Sequence, residues 1–385
     1  MRELAIDLNA LPVDADAMLA GLETWVEHES PTYAPAAVSG MVARAGAALA
    51  ELGASTETVT AERGVGDCLR AALPHPRRGE PGVLILAHLD TVHPAGTLAR
   101  LPFRREGEVC YGPGIVDMKG GTYAAVEALR QLGRAGLETP LPIHVLLTSD
   151  EEIGSPGTRW LIEAEAKKHR CVLVPEPSRV DGTCVTGRYA IARFDLAARG
   201  RPSHAGAALK EGRSAIRIMA ERIRTIEDMT DDDCTFSVGV VHGGQWVNCV
   251  ATTCTGEALS MAKRQADLDR GVERMLALTD KDDEGIGFEV TTGVVRPVWE
   301  PDAGTTALYG QAKAIAATLG FDLGHQSAGG GSDGNFTGAM GIPTLDGLGV
   351  CGEGIHTLDE RVHVASLPRS ARMLAGLMLT VDDAG

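Results

Sequence analysis

Hydrophobic and polar positions give the first 180 residues of the chain one consistent texture. Short runs that are apolar throughout alternate there with longer helix-like segments. Strands of that kind are typical of a mostly parallel sheet that is covered by helices on both faces. The pattern predicts a helix-like segment at 16–52, a strand at 83–88, a helix at 122–136, a strand at 143–148, a helix at 158–168 and a strand at 171–174.

A different texture begins near residue 182. In the stretch YAIARFDLAARG, Phe194 and Leu196 fall on one face while Arg193 and Asp195 fall on the other. This alternation predicts a strand with one face in solvent. We expect the following elements to be a helix at 212–226, strands at 235–242 and 246–260, a helix at 267–278 and a strand at 286–295.

The order of these middle elements is βαββαβ, which is typical of a ferredoxin-like unit. After Pro297 the α/β texture resumes, with helices expected near 304–319 and 367–380. We therefore expect the α/β fold class, in which a mostly parallel-sheet catalytic domain is interrupted by an inserted ferredoxin-like α+β domain. The predicted metal-binding catalytic domain is 1–181 together with 296–385, and the predicted insert is 182–295.

Charge and composition narrow the function. The chain has 52 acidic and 36 basic residues, so its net charge of −16 disfavours binding to nucleic acid or to anionic lipid. The start of the sequence has no signal-peptide pattern, and no apolar run is long enough to span a membrane. The expectation is a cytoplasmic protein that does not bind membranes. The eight cysteines include no CxxC pair and are expected to be reduced and mostly buried.

Chemical groups collect where the predicted strands end. In an open parallel sheet, ligands bind beyond the carboxyl ends of the strands. A single histidine or acid at such a position is more often structural, but here five segments each supply at least one. The groups are His88 and Asp90, then Asp117, then Asp150, Glu151 and Glu152, then Glu176, and near the end His356.

Several carboxylates can share a small volume only if a cation neutralises them. Imidazole nitrogen with carboxylate oxygen suits zinc, with manganese or cobalt as substitutes, and this many ligands suits two ions better than one. Alternation places His88 and Asp90 on the same side of the chain, so Asp90 is expected to orient the imidazole. Glu151 and Glu152 point in different directions, so one can bind metal while the other acts as a base.

These residues carry a resemblance to a known family. The motifs HLDTVHP, YGPGIVDMKGG, TSDEEIGSPGT, VPEPS, GRPSHAG, GGQWVN, GGGSDG and GIHT occur in this order. Together they resemble the M20 family of dinuclear zinc metallopeptidases and amidohydrolases, and within it the glutamate carboxypeptidase (carboxypeptidase G2) branch. The resemblance extends from about residue 20 to about residue 382.

The resemblance implies a role for each residue of the predicted metal centre. Two divalent metal ions per subunit are implied, with zinc favoured. His88, Asp117 and Glu176 would hold one ion, Asp117 would bridge to the other, and Glu152 and His356 would complete the second site. Asp90 would orient His88, Glu151 would be the general base acting on a metal-bridging hydroxide, and the bond from Asp117 to Met118 would be cis.

The resemblance also implies roles for the insert, which would be a lid and dimerisation domain. His204 would reach across a homodimer interface to stabilise the oxyanion. Asn248 and Arg296 would contact the substrate carboxylate, with the backbone of Gly330 and Gly331 at the same pocket. The implied partner is a small-molecule or short-peptide carboxylate substrate, cleaved at an adjacent amide.

Two departures from that branch concern the substrate. Positions at which the branch has cationic side chains correspond here to Cys184 and Met261. The expected pocket therefore keeps Arg296 as its carboxylate anchor and accepts a monocarboxylate with an apolar or aromatic body at least as well as an acyl-glutamate.

Three functions are compatible with these observations. The first is carboxypeptidase-like amide hydrolysis. The second is an M20-type amidohydrolase or hydrolytic deaminase that acts on a small aromatic or apolar monocarboxylate, because function belongs to the site and not to the fold. The third, a non-catalytic binding protein, is disfavoured because Glu151 and every predicted ligand are present.

Overall fold

The computed structural model describes residues 6–179 and 182–382. The chain divides into two compact units. The first consists of the residues up to Gly187, of Glu300–Ala328 and of the residues from Ser332 onward, and the second consists of Arg188–Trp299 with Gly329–Gly331. The expected boundary at residue 181 lies outside the described residues. The roles assigned to the two predicted domains remain predictions.

Helices and strands alternate along the first part of the described chain, as the hydrophobic pattern predicts. The α-helices within residues 6–179 and 182–382 are α1 (Ala15–Val26), α2 (Pro35–Ala50), α3 (Gly120–Arg134), α4 (Arg159–Ala166), α5 (Ala215–Glu227), α6 (Gln265–Leu276), α7 (Ala303–Thr318), α8 (Gly334–Ala339) and α9 (Ser366–Thr380). The strands in the same ranges are β1 (Ser55–Val59), β2 (Cys68–Ala72), β3 (Val83–His88), β4 (Arg104–Glu106), β5 (Val109–Tyr111), β6 (Ile143–Thr148), β7 (Cys171–Leu173), β8 (Cys184–Arg188), β9 (Ala190–Arg199), β10 (Cys234–Gly243), β11 (Thr253–Ala262), β12 (Asp280–Lys281), β13 (Gly287–Arg296), β14 (His325–Ala328), β15 (Thr344–Leu345), β16 (Gly352–Glu353) and β17 (Arg361–His363).

The central sheet of the first unit has the strand order β1-β2-β6-β3-β7-β15. Strands β6, β3, β7 and β15 run parallel to one another, whereas β2 is antiparallel to both β1 and β6. All six residues of β3 are buried, because helices cover both faces of the sheet. The predicted mostly parallel sheet is confirmed, and the carboxyl ends of its parallel strands meet at one edge.

The segment predicted as helix-like from 16 to 52 consists of two helices. Asp14 starts α1 by accepting a hydrogen bond from the Ala17 N–H at 2.7 Å. The helix ends at Val26, and the chain resumes helical geometry only at Pro35, the first residue of α2. Proline lacks the N–H that a helix interior needs but fits its first turn, so Pro31 and Pro35 favour a loop followed by a new helix.

A smaller antiparallel sheet of the first unit has the order β16-β17-β5-β4. Strands β16 and β17 form a hairpin in which Gly352 pairs with Val362 and Glu353 pairs with Arg361. Residues 354–360 form the loop of this hairpin and include His356. Strand β5 pairs with β17 and runs directly into the segment that carries Asp117.

The second unit contains a five-stranded antiparallel sheet of order β10-β11-β9-β13-β12. The predicted βαββαβ order is present, with the two-residue strand β12 added before the last strand. Along β9, Phe194 and Leu196 are buried and Asp195 is exposed, as the alternation predicts. The prediction of a strand from 246 was wrong by seven residues, because the chain leaves the sheet at a turn where Gly244 adopts a φ of 76° and re-enters it at Thr253.

Two further features of the described residues bear on the expected cellular setting. None of the helices within 6–179 and 182–382 combines the length and the apolar character that a bilayer crossing requires. All eight cysteines are free thiols, and Cys249 is the exposed one.

Candidate active site

Three parallel strands bring some of the predicted metal ligands, His88, Glu152 and Glu176, to one edge of the central sheet. His88 is the last residue of β3 and lies opposite Thr148, the last residue of β6. Strand β7 ends at Leu173, opposite Ile85, so the chain that continues to Glu176 runs beside the end of β3. The residues that follow β6 are the acidic run.

His88 lies at the middle of the cluster and is 1% exposed. Its Nε2 lies 3.3 Å from an oxygen of Asp117, 3.6 Å from one of Glu176 and 3.9 Å from one of Glu151. Within the described part of the chain this buried nitrogen makes no hydrogen bond of good geometry. Its Nδ1 faces Asp90 instead, 3.1 Å from the backbone oxygen and 3.4 Å from Oδ1. Asp90 therefore leaves Nε2 directed at the acids.

Asp117 lies between the two histidines. Its Oδ1 is 3.3 Å from His88 Nε2 and its Oδ2 is 3.1 Å from His356 Nε2. The same nitrogen of His356 lies 3.2 Å from Glu152 Oε2. One carboxylate that presents one oxygen to each histidine has the arrangement that a bridging ligand needs. The peptide bond from Asp117 to Met118 is cis.

The remaining acids complete two overlapping groups. Possible ligand atoms of His88, Glu151 and Glu176 all lie within 4.8 Å of one another, as do those of His88, Asp117 and Glu152. Glu151, expected as the base, therefore lies inside the cluster, and distance alone does not separate its role from that of Glu152. The first unit brings together all seven residues predicted for the metal centre: His88, Asp90, Asp117, Glu151, Glu152, Glu176 and His356.

The electrostatics of the cluster favour a cation. Burial raises the pKa of the Glu152 carboxyl to about 8 and raises the pKa of Glu176 well above its usual value. Hydrogen bonding to Asp117 and Glu152 raises the pKa of His356 to about 10. The protein alone therefore holds protons on groups that would have to be deprotonated to bind metal, and metal binding would displace those protons.

His88 and Asp117 shift each other's pKa in opposite directions. Burial opposes protonation of His88, yet Asp117 and Asp90 raise its pKa well above the usual value. Burial also opposes ionisation of Asp117, but the two histidines lower its pKa. The donor set of imidazole nitrogens and carboxylate oxygens, with a buried histidine nitrogen that lacks a hydrogen bond, fits a divalent transition metal such as zinc, manganese or cobalt.

Asp90 also holds the acidic run in place. It is fully buried and accepts hydrogen bonds from the backbone N–H groups of Glu151 at 3.2 Å and Glu152 at 3.3 Å. The Thr32 hydroxyl donates to it at 2.7 Å. Thr32 belongs to the loop between α1 and α2, which the sequence pattern did not separate from the helices. A capping or loop signal at Ser30-Pro31-Thr32 was the available clue.

Asp150 is the one acid of the run that does not join the metal cluster. It accepts hydrogen bonds from the Gly157 N–H at 2.6 Å and from the Thr158 hydroxyl. Burial raises the pKa of its carboxyl to about 7. The three adjacent carboxylates therefore have different surroundings. Glu151 and Glu152 face the candidate metal centre, whereas Asp150 is held by hydrogen bonds within the loop that follows it.

Asp333, from the GGGSDG motif, was not predicted as a site residue. It accepts hydrogen bonds from the hydroxyls of Thr148, at 3.0 Å, and Ser155. These two residues flank the turn that carries Glu151 and Glu152, so Asp333 joins the two ends of that turn. Of this motif, the family resemblance implies a role only for the backbone of Gly330 and Gly331.

His204 and Asn248 lie together in the second unit. Both are exposed, and the backbone oxygen of Asn248 accepts a hydrogen bond from Ala205 N–H at 3.0 Å. His204 Nδ1 accepts hydrogen bonds from the N–H groups of Gly206 and Ala207, both at 3.1 Å. A neutral imidazole that accepts at Nδ1 carries its proton on Nε2. The ring thus presents an N–H donor, as an oxyanion contact requires.

Arg296 and the glycine run also belong to the second unit. Arg296 is 3% exposed, and a Cβ atom placed on Gly331 would lie 2.7 Å from its Cδ. Glycine at 331 is therefore what allows this arginine to approach the backbone. Arg188, which sequence analysis missed, donates from Nη1 to the carbonyl of Gly331 at 3.2 Å and lies 3.4 Å from that of Gly330. Its signal in the sequence was a single arginine at the end of a strand.

The interpretation of Cys184 as a pocket position is not supported by its burial. Cys184 is fully buried in the core of the first unit, where its thiol donates to the Gly324 carbonyl at 3.4 Å. Met261 is partly buried in β11, paired with Ile191 of β9. Cys184 is a core residue, so its identity carries no information about cations in a pocket.

Comparison with known proteins agrees with the motifs. The profile of peptidase family M20/M25/M40 matches residues 84–380. Carboxypeptidase G2 from Pseudomonas sp. (strain RS-16) is 32% identical over 310 residues, which cover 78% of this chain and 74% of that protein.

Two solved structures show the same fold. Aminopeptidase PepT from Bacillus cereus ATCC 10987 aligns with a TM-score of 0.74 and 23% identity, covering 95% of this chain and 98% of that one. Human carnosine dipeptidase 1 aligns with a TM-score of 0.75 and 15% identity, covering 97% and 98%. The fold, the family profile and the clustered metal-ligand residues agree, and the chain belongs to the M20 family of metallopeptidases and amidohydrolases and is a hydrolytic enzyme.

Proposed function

We propose that this protein is a divalent-metal-dependent hydrolase that cleaves an amide bond, in a peptide or an N-acyl amino acid, beside a substrate carboxylate. The observation that carries the proposal is the position of Asp117, which presents one oxygen to His88 and the other to His356. That arrangement suits a carboxylate shared by two cations. The similarity to carboxypeptidase G2 favours the carboxypeptidase-like reaction among those of the family.

The proposed ligand sets are those that the family resemblance implies, and the distances are compatible with them. His88, Asp117 and Glu176 would hold one ion, since both acids lie within 3.6 Å of the histidine nitrogen. Asp117, Glu152 and His356 would hold the second, since both acids lie within 3.2 Å of the other histidine nitrogen. When bound, two zinc ions would polarise the scissile carbonyl and make water acidic enough to attack near neutral pH.

Glu151 is assigned the proton transfers. It would take the proton of the attacking water and return it to the leaving nitrogen, a role worth about 10²- to 10⁴-fold in rate. Its backbone N–H is fixed by Asp90, which also orients His88. The base and a metal ligand therefore share one support, and their relative position is set before substrate arrives.

The residues of the second unit are assigned to the substrate. His204 would donate from Nε2 to the developing oxyanion, and we propose that it does so across the interface of a homodimer. Arg296 offers a planar fork to a substrate carboxylate, with Asn248 as a further donor and the backbone of Gly330 and Gly331 beside it. The substrate is then a small acyl amino acid or a short peptide with a free carboxylate.

A hydrolysis panel tests the proposal. Protein stripped of metal and reloaded with zinc would be incubated with acyl-glutamates, dipeptides, N-acetyl amino acids and aryl amines, and the products identified by mass spectrometry. The Glu151→Gln variant serves as the matched control for each substrate. Release of a free amino acid by the parent protein alone supports the proposal. Release of ammonia alone would move the function to a hydrolytic deaminase, and no turnover with both ions bound would overturn the proposal.

A further inference from the structure

We propose that Glu360, outside the predicted ligand set, is a positioning residue that sets the affinity of the metal centre by holding the Asp117 loop. This inference rests on the proposed role of Asp117 as the bridging ligand. It adds a residue that neither the motifs nor the ligand distances identify. We define the Asp117 loop as residues 112–119, which join β5 to α3.

Glu360 gathers the backbone of this loop onto one buried carboxylate. Its Oε1 accepts hydrogen bonds from the N–H groups of Val116 at 2.8 Å and Asp117 at 3.1 Å. Its Oε2 accepts a hydrogen bond from the Gly114 N–H at 2.9 Å. The residue is fully buried, so a carboxylate here depends on these donors to offset its loss of hydration. One of the donors is the backbone of the bridging ligand itself.

The strand register places Glu360 where it can do this. Arg361, the first residue of β17, pairs with Tyr111, the last residue of β5. Glu360 precedes that pair, and its backbone oxygen accepts from Gly112 N–H at 3.3 Å. Glu360 therefore lies beside the start of the Asp117 loop, within reach of its N–H groups. The hairpin loop that ends at Glu360 also carries His356.

A second histidine ties the carboxylate to another part of the metal centre. His93 is 7% exposed, and its Nε2 lies 2.6 Å from Glu360 Oε2. His93 lies in the loop that directly follows His88, the last residue of β3. Glu360 thus joins three segments: the loop after β3, the Asp117 loop and the β16–β17 hairpin. The first directly follows the proposed ligand His88, and the other two carry Asp117 and His356.

Glycine at 114 is part of the same arrangement. Gly114 adopts a φ of 68°, and a Cβ atom at this position would lie 2.5 Å from the Thr91 side chain. The left-handed conformation and the close approach let its N–H turn toward Glu360. The loop therefore has a backbone shape that converges on a carboxylate at residue 360.

Substitution of Glu360 by glutamine tests the inference. An amide keeps the size of the side chain but presents an NH₂ group where one carboxylate oxygen accepted hydrogen bonds, so one side of the loop loses its partner. Mutation of a residue that orients a metal ligand by hydrogen bonding typically lowers metal affinity about 10- to 100-fold. We expect a loss of that size for zinc in Glu360→Gln, measured by calorimetric titration of the metal-free protein. A changed absorption spectrum of the cobalt-loaded protein should accompany it.

Glu353→Gln is the matched control. Glu353 lies in β16 of the same hairpin, where its side chain accepts a hydrogen bond from Arg361 and lies 3.7 Å from His363. Its replacement should leave zinc affinity and the cobalt spectrum unchanged. Thermal unfolding of each metal-free protein checks that both variants fold. Equal zinc affinity and equal cobalt spectra for Glu360→Gln and Glu353→Gln would overturn the inference.

A second variant carries the test if Glu360→Gln does not fold. His93→Leu leaves Glu360 and the loop donors in place but removes one donor to Oε2, so a smaller loss of zinc affinity is expected. An unchanged affinity in that variant would overturn the inference. The measurements report metal binding and not turnover. An inactive parent protein with tight zinc binding would therefore count against the proposed function alone.

Discussion

The two units of the chain hold their predicted functional groups in different ways. In the first unit, seven predicted residues from five segments lie in one cluster, and His88 and Asp90 at its centre are almost fully buried. In the second unit, His204 and Asn248 are exposed, while Arg296 is buried against a glycine turn. The first set acts as a group, because its five carboxylates and two histidines share one small volume and affect one another's charge. Each residue of the second set is assigned a separate contact with the substrate.

This difference has a physical origin. His88 and the acids after β6 and β7 lie at the ends of parallel strands, which the topology of one sheet brings together whatever the loops between them contain. Asp117 and His356 come from the smaller antiparallel sheet, from the segment after β5 and from the β16–β17 hairpin. Hydrogen bonds accepted by Asp90, Asp333 and Glu360 then fix the loops. Residues of the second unit project from a half-exposed antiparallel sheet and its turns. Changes in the first unit should therefore have the larger effects on activity.

Removal of metal should have the largest effect. A chelator should lower activity by roughly 10³-fold or more, since the two proposed cations would contribute several kcal/mol of transition-state stabilisation. Zinc, manganese or cobalt should restore it. The measurement is activity against metal content by elemental analysis. Fully active protein without a bound transition metal would contradict the proposal that the clustered residues of the first unit bind catalytic metal.

Glu151→Gln should come next, with a rate lower by about 10²- to 10⁴-fold and near-normal metal content, because the change removes proton transfer and leaves coordination intact. Glu152→Gln is the comparison, and it should lose metal. Both are measured by steady-state kinetics and elemental analysis of the same samples. Metal loss in Glu151→Gln with retention in Glu152→Gln would reverse the two roles, an exchange that the crowded geometry permits.

His204→Ala should lower kcat by about 10²- to 10³-fold, the range for one oxyanion donor. His242→Ala is the matched control, since His242 is an exposed histidine of β10 in the same unit. If His204 acts across a dimer interface, inactive His204→Ala and inactive Glu151→Gln proteins should regain activity when mixed and allowed to exchange. No recovery in verified mixed dimers would place His204 and Glu151 in the same subunit.

The smallest effect concerns the substrate side chain. Because Cys184 is buried in the core, its identity is no longer a reason to expect that the substrate pocket has lost a cationic side chain. Arg188, whose side chain donates a hydrogen bond to Gly331, is in addition a basic residue that the motifs did not identify. Comparison of kcat/KM for matched N-acyl-glutamate and N-acyl-phenylalanine decides the point. If kcat/KM for the glutamate substrate exceeds that for the phenylalanine substrate by less than about 100-fold, or about 2.7 kcal/mol, the expectation of a monocarboxylate substrate stands. A larger preference for glutamate would restore a plain glutamate carboxypeptidase.

The sequence by itself determined the fold class, the family and the residues of the candidate metal centre. Apolar runs with acids and histidines at their ends indicated a parallel sheet with a cation-binding cluster at one edge, since adjacent buried carboxylates must be neutralised by a cation or by protons. The strands and helices that periodicity predicted lie within a few residues of their observed positions, except at the helix break near Pro31 and the late start of β11. Periodicity did not predict several short strands, such as β1, β2 and β5 and the β16–β17 hairpin, or the short helix α8.

Only the tertiary structure decided which acids and histidines support the centre and which belong to it. Asp150, Glu151 and Glu152 are equivalent in sequence, yet hydrogen bonds from Gly157 and Thr158 turn Asp150 away from the cluster. Glu360 has no motif of its own and becomes significant because β17 pairs with β5 in one register. This pairing joins segments that lie about 250 residues apart in the chain, as the hydrogen bond from Gly112 to Glu360 illustrates. Local periodicity carries no information about such pairing.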